Sequence, residues 1–162
     1  MNAKVLLTAL FILAASFGFS SSAFSQQPPP KSHKAKHIVA LVEKAASQIE
    51  SKGKAVFPEF RKSGSKWRSG TTYLFVGDMN GVSLFNAGFP KLEGTNVLDL
   101  KDSNGKLINQ ALIQMAQSNG SGWVDYMWPK PGQTKPTQKW SYVKAVKVDG
   151  TPAYIGAGFY PK

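Results

Sequence analysis

TYLFVGDMNGVSLFN, residues 72–86, sets two short β-rich runs on either side of Asp78-Met79-Asn80-Gly81. Aspartate, asparagine and glycine tolerate the backbone of a tight reversal, so the stretch predicts a hairpin. Side chains alternate across a strand. On the first run this puts Tyr73 and Phe75 on one face and Leu74 and Val76 on the other.

Three later stretches also have strand character: Gly122 to Trp128, Gln138 to Val148, and Ala153 to Tyr160. A proline-rich loop, PKPGQTKPT (129–137), joins the first two, and the tight VDGTP (148–152) joins the last two. The same alternation groups Tyr126 with Trp128, and Tyr154 with Gly156, Gly158 and Tyr160. The ring-bearing face then collects Tyr73, Phe75, Tyr126, Trp128, Tyr142 and Tyr154 beside glycines. Such a face either lines a small pocket with polar edges or packs beneath the long stretch Ala87 to Ser103, which has no sustained period and reads as a wrapping loop.

Two helices complete the pattern. From His33 to Ser51, the residues Ile38, Leu41, Val42, Ala45, Ala46 and Ile49 fall on one stripe of a 3.6-residue period, with Ser32 as cap and Gly53 as terminator. A short helical piece follows at Val56 to Arg61, with Pro58 acceptable in its first turn. The second main helix runs from Gly105 to about Gln117 on the stripe Leu107, Ile108, Ala111, Leu112 and Met115, and Asn119-Gly120 stops it. The order helix, two strands, helix, three strands predicts an α+β domain: five mostly antiparallel strands in one sheet, with helices packed at one face.

Lys4 followed by the apolar run Val5 to Phe19 reads as an export signal, since roughly 15 apolar residues fall short of the ~20 a spanning helix needs. Cleavage is expected after Ala23 or, preferably, after Ser25. The expected organisation is therefore a signal peptide at 1–25, a Pro-rich tether at 26–32 and a single domain at 33–162, in the periplasm or secreted, with no later segment apolar enough to span a membrane. Zero cysteines remove disulfides, thiol nucleophiles and zinc-thiolate sites. The net charge of +11 comes from 20 Lys and Arg against 9 Asp and Glu. No run reaches five like charges and there are only two arginines, so the surface is generally basic rather than a specific nucleic-acid groove.

YLFVGDMNGVSLFNAGFPKLEGTNVLDLKDSNGK (73–106), GSGWVDYMWPKPG (120–132), KWSYVKAV (139–146) and YIGAGFY (154–160) together resemble the single Cache domain of type 2, the extracytoplasmic sensor module of bacterial chemoreceptors and sensor kinases. The resemblance runs from about residue 35 to residue 160. It implies a PAS-like Cache fold, a long N-terminal helix laid on a five-stranded antiparallel sheet, binding small organic acids such as acetate, pyruvate or lactate between sheet and long loop. Carried onto this chain, it nominates Trp67, Tyr73, Phe75, Phe85, Pro90, Tyr126, Trp128, Lys139 and Tyr142 for the ligand pocket, with Lys139 pairing the carboxylate and tyrosine hydroxyls completing its hydrogen bonds. Asn86 stands where the family often carries histidine. Lys139 and Tyr142 fall on opposite faces under strict alternation, so either a bulge intervenes or only one points inward.

The chain ends just after the last strand, in the manner of stand-alone exported Cache proteins, whose expected partner besides the acid is a membrane-bound sensor or transporter. The alternative is an interaction module with a filled pocket that docks through its basic surface. No catalysis, metal or cofactor is expected. There is no G-x-S-x-G elbow, and His33 and His37, although at i, i+4, lack a third ligand. DMNG (78–81) and DSNG (102–105) lack the oxygen ladder of a calcium loop and read as Asx turns.

Overall fold

The computed structural model describes residues 31–161. The segments read as a signal peptide (1–25) and as most of the tether (26–32) lie outside the described residues, as does residue 162. Helix α1 spans His33–Lys52. The Ser32 hydroxyl oxygen accepts the Ala35 N–H at 3.1 Å, satisfying one of the free donors of the first turn. Gly53, at φ 56°, ends the helix in a backbone region closed to most side chains. A 3₁₀ turn (Gly53–Val56) leads into the short α2 (Phe57–Arg61), with Pro58 in its first turn. The strands are β1 (Leu74–Asp78), β2 (Ser83–Asn86), β3 (Ser121–Pro129), β4 (Pro136–Val148) and β5 (Thr151–Phe159), and α3 (Ile108–Asn119) precedes β3.

One sheet in the order β2-β1-β5-β4-β3 carries all five strands, and every neighbouring pair is antiparallel. A long N-terminal helix on a five-stranded antiparallel sheet is the arrangement that the resemblance implies. Both DxNG stretches are Asx turns. The Asp78 carboxylate accepts the N–H groups of Asn80 and Val82, and that of Asp102 accepts those of Asn104 and Lys106.

The helices do not share one face. The stripe of α1 packs on β4 and β5, where Glu43 accepts hydrogen bonds from Tyr142 and Lys144. Helix α3 lies across the other face, and its Asn109 side chain accepts the Tyr154 hydroxyl at 2.9 Å. Tyr154 opposes Ala145, whose two chain neighbours on β4 point the opposite way, toward α1. A sheet covered on both sides needs apolar groups on both sides, and β5 supplies them: Ala153 to Phe159 are buried without a break.

Among the described residues, no helix is long and apolar enough to cross a membrane.

Candidate functional site

The face turned away from α1 carries a small cavity. Tyr73 and Phe75 reach it from β1 and its approach, Tyr126 and Trp128 from β3, Lys139 from β4 and Tyr154 from β5. Leu92, Val97 and Leu100 of the long loop, with Ile108, Asn109 and Leu112 at the start of α3, form its roof. Its free volume is about 40 Å³, room for only one or two waters. A much larger hollow of about 920 Å³ beside Gly53 and the β4–β5 turn is open to solvent and shares no lining residue with the ring-lined cavity.

Strand pairing explains which rings arrive. Tyr126 sits directly opposite Lys139, and Phe75 directly opposite Gly156. Directly opposed residues share a face, so rings on β1 and β3 lean over the smaller residues of β4 and β5. Gly156 makes room for Phe75: a Cβ there would lie 2.5 Å from the Phe75 ring.

Lys139 is the unusual member of the set. Its residue is 1% exposed, its Nζ donates to the Tyr73 hydroxyl at 2.8 Å, and among the described residues it has no carboxylate partner. Four ring centroids surround the amine: Tyr73 at 4.1 Å, Phe75 at 5.2 Å, Tyr160 at 5.7 Å and Tyr126 at 5.8 Å. Burial pushes the Lys139 amine down to about 7. The same burial holds the hydroxyls of Tyr73, Tyr126 and Tyr154 above their ordinary value and takes Tyr160 up to about 12, so all four stay protonated near neutrality. Tyr126 and Ser141 share a buried hydrogen bond of 2.9 Å beside the lysine.

Of the residues nominated from sequence, Tyr73, Phe75, Tyr126, Trp128 and Lys139 meet at this cavity. Four do not. Tyr142 lies on the α1 face, its hydroxyl within hydrogen-bond reach of Ser121 and Glu43, because β4 runs without a bulge and the odd spacing from Lys139 turns it away. Phe85 opposes Val76 and therefore leaves on the same side, where it stacks on Phe57 with centroids 4.8 Å apart. Trp67 is buried against Phe60 and donates its indole N–H to Glu59 at 2.8 Å. Pro90 is exposed at the start of a 3₁₀ turn, and Leu92, two residues on, is the one that reaches the cavity. Asn109, Ser141 and Tyr160 were missed. Counting by two from Lys139 finds Ser141, and alternation already groups Tyr160 with Tyr154 although it was not nominated for the pocket, whereas Asn109 has no signal of its own in a helix that reads as plain core.

Two sets of contacts tie down the roof. Asp102 accepts the Met127 N–H at 2.9 Å; although burial opposes its ionisation, the backbone donors of Met127, Lys106 and Asn104 and the charge of Lys106 prevail and hold its carboxyl below the usual range. On the other side, Arg61 holds both oxygens of Glu93 at 2.9 Å, and Glu93 also accepts the Asn86 N–H at 2.7 Å. Glu93→Ala is expected to lower stability by only about 1 kcal/mol, as for a half-exposed ion pair with one backbone bond. It should also speed amide hydrogen exchange at Asn86 and in the loop near Gly94 several-fold. Unchanged exchange there would mean that the loop is held by its apolar roof contacts alone.

Comparison with known proteins gives a consistent picture. A family model described as the Cache domain matches residues 33–162. The chain is 30% identical over 88 residues to the methyl-accepting chemotaxis protein McpP of Pseudomonas putida, a stretch that is 54% of this chain and 16% of that protein. A solved structure described as the periplasmic sensor domain of a chemotaxis protein is 29% identical with a TM-score of 0.66, covering 80% of this chain and 95% of the other. Another, described as showing carboxylic acid recognition by a Cache chemosensory domain, is 25% identical with a TM-score of 0.67, covering 80% and 94%.

Proposed function

The chain belongs to the Cache domain family, and from that premise we propose that it is a sensor module that binds a small carboxylate of two to four carbons beside Lys139, without turning it over. The observation that carries this reading is the buried lysine with no acidic partner among the described residues. An unpaired charge at such a site costs several kcal/mol, and an entering carboxylate supplies the missing counter-ion. The Tyr73 hydroxyl and the Tyr126–Ser141 pair offer further hydrogen bonds, while Phe75, Leu92 and Leu112 suit a short apolar tail. The solved Cache domain described as recognising carboxylic acids, at 25% identity, adds support.

The export signal read at residues 1–25 and the relative described as a periplasmic sensor domain support a location outside the inner membrane, with a membrane-bound sensor or transporter as partner class. A thermal-shift screen of two- to four-carbon acids, amino acids and purines at moderate salt tests the binding. One acid class should give a saturable rise in Tm, worth about 2.7 kcal/mol at roughly 100 times Kd. Because the anion pairs with protonated Lys139, affinity should weaken as pH rises above about 7, by up to tenfold per pH unit.

The free volume of about 40 Å³ favours a second reading, an interaction module whose pocket is already filled by its own rings. A flat screen, with no acid retained through purification, would support that reading and overturn the first.

A further inference from the structure

Resting on the reading of this cavity as a carboxylate pocket, we propose that Lys139 captures 2-oxo acids covalently, as a reversible protonated imine, and so retains them longer than acids that carry no carbonyl group.

A lysine in water at neutral pH is almost wholly protonated and has no lone pair to offer. Lysines serve as nucleophiles where an apolar site removes that proton. Lys139 meets this condition by geometry: its amine is buried within four aromatic rings, has one hydrogen bond, and borders the free space of the cavity. The titratable groups turned toward it are Tyr73 on the approach to β1, Tyr126 on β3, and Tyr154 and Tyr160 on and after β5, all neutral, while α3 contributes the uncharged Asn109. With the amine titrating at about 7, near half of it is neutral at that pH.

The chemistry balances without any further reagent. The neutral amine attacks the carbonyl carbon, forming the N–C bond, and an amine proton passes to the carbonyl oxygen. The Tyr73 hydroxyl, 2.8 Å from Nζ, is positioned to relay it. The carbinolamine hydroxyl then takes a second proton and leaves as water, while the nitrogen lone pair forms the C=N bond. Counted from the ammonium form, ammonium plus carbonyl gives iminium plus water, so the site keeps its single positive charge. The ring faces that attract the ammonium attract the iminium as well, and the entering carboxylate supplies the counter-charge that burial otherwise denies it. The carboxylate, one bond from the reacting carbon, stays beside that charge.

The test is reductive trapping on the wild-type protein. The protein is incubated with pyruvate and cyanoborohydride near pH 7, and modified lysines are mapped by peptide mass spectrometry, with acetate and pyruvate thermal shifts measured in parallel. Saturable modification of Lys139, roughly a hundredfold faster than at exposed lysines such as Lys34, Lys44 and Lys91, and blocked by excess acetate, is the expected result. Pyruvate that raises Tm while Lys139 stays unmodified would overturn the covalent step and leave the carboxylate reading standing. Absence of both trapping at Lys139 and any thermal shift would sink the two together. Trapping at Lys139 with no acetate shift would uphold the imine and refute a general carboxylate pocket. Because mapping uses the wild-type chain, no outcome depends on whether a Lys139 variant folds.

Discussion

Lys139→Met should make the ligand-free protein more stable at about pH 6.5 and at the same time abolish stabilisation by carboxylates. The amine titrates at about 7 instead of 10.5, which corresponds to roughly 5 kcal/mol of unfavourable charge burial below pH 7. Methionine has a similar length and no charge. Its introduction forfeits the hydrogen bond to Tyr73 and the attraction of the ring faces, together about 1–2 kcal/mol. The net expectation is a gain of about 3–4 kcal/mol, or on the order of ten degrees in Tm.

The pH dependence has a definite sign. Between about 7 and 10.5 the unfolded chain holds the lysine proton and the folded chain does not, so stability of the ligand-free wild type rises with pH across that window. It is lost as pH falls through about 7. Tyr73, Tyr126, Tyr154 and Tyr160 face the amine without titrating below pH 9, which leaves pH 6.5 to about 9 as the useful range. Thermal melts of wild type and variant over this range check the point. A variant that is less stable than wild type at pH 6.5, or a wild type with the same slope as the variant, would contradict it.

Gly158→Ala is expected to be among the most damaging single changes outside the aliphatic core. A Cβ at this position on β5 would lie 2.5 Å from the Trp140 carbonyl oxygen, 2.5 Å from the Ser141 hydroxyl and 2.7 Å from Cε of Lys139. The carbonyl belongs to β4, paired with β5 alongside, so it cannot yield without loosening the pairing that holds Lys139 in place. A loss of about 3 kcal/mol follows, with weakened acid binding. Gly122→Ala is the control. The atoms it would crowd are the Sδ and Cγ of Met115, at the end of a flexible side chain, so it should stay within about 1 kcal/mol of wild type. Equal losses in the two variants, read by denaturant melts, would show that strand pairing is not what Gly158 protects.

Much of this architecture was legible because period-two alternation needs no partner to be read. Parity alone groups Tyr73 with Phe75 and Tyr126 with Trp128 and separates Lys139 from Tyr142, while the strand pairing is what brings the two ring pairs to one face. Phe85 was harder. The side it takes depends on which β1 residue it opposes, and the β1–β2 register shifts between Val76 and Gly77. A strand pattern does not announce such an irregularity. Trp67 sits in a turn-rich stretch with no period at all.

Helix α3 exposes a different limit. Its apolar stripe was plain, yet a stripe says which side of a helix seeks cover and not which side of a sheet provides it. Both faces of this sheet are apolar enough to serve. Its start was also read three residues early, because 102–106 are taken up by the Asx turn at Asp102 and by the bridge between Lys101 and Leu107.

The buried lysine has a consequence for how this sequence changes over generations. Most replacements in a protein interior destabilise and are purged for that reason, but replacement of Lys139 by an apolar residue of similar size works in the opposite direction. A gene copy released from the need to bind its ligand would therefore shed this lysine early and gain robustness by doing so. In descendants of this domain, an apolar residue at position 139 with the ring cage intact would mark a lineage that had kept the scaffold and given up the acid.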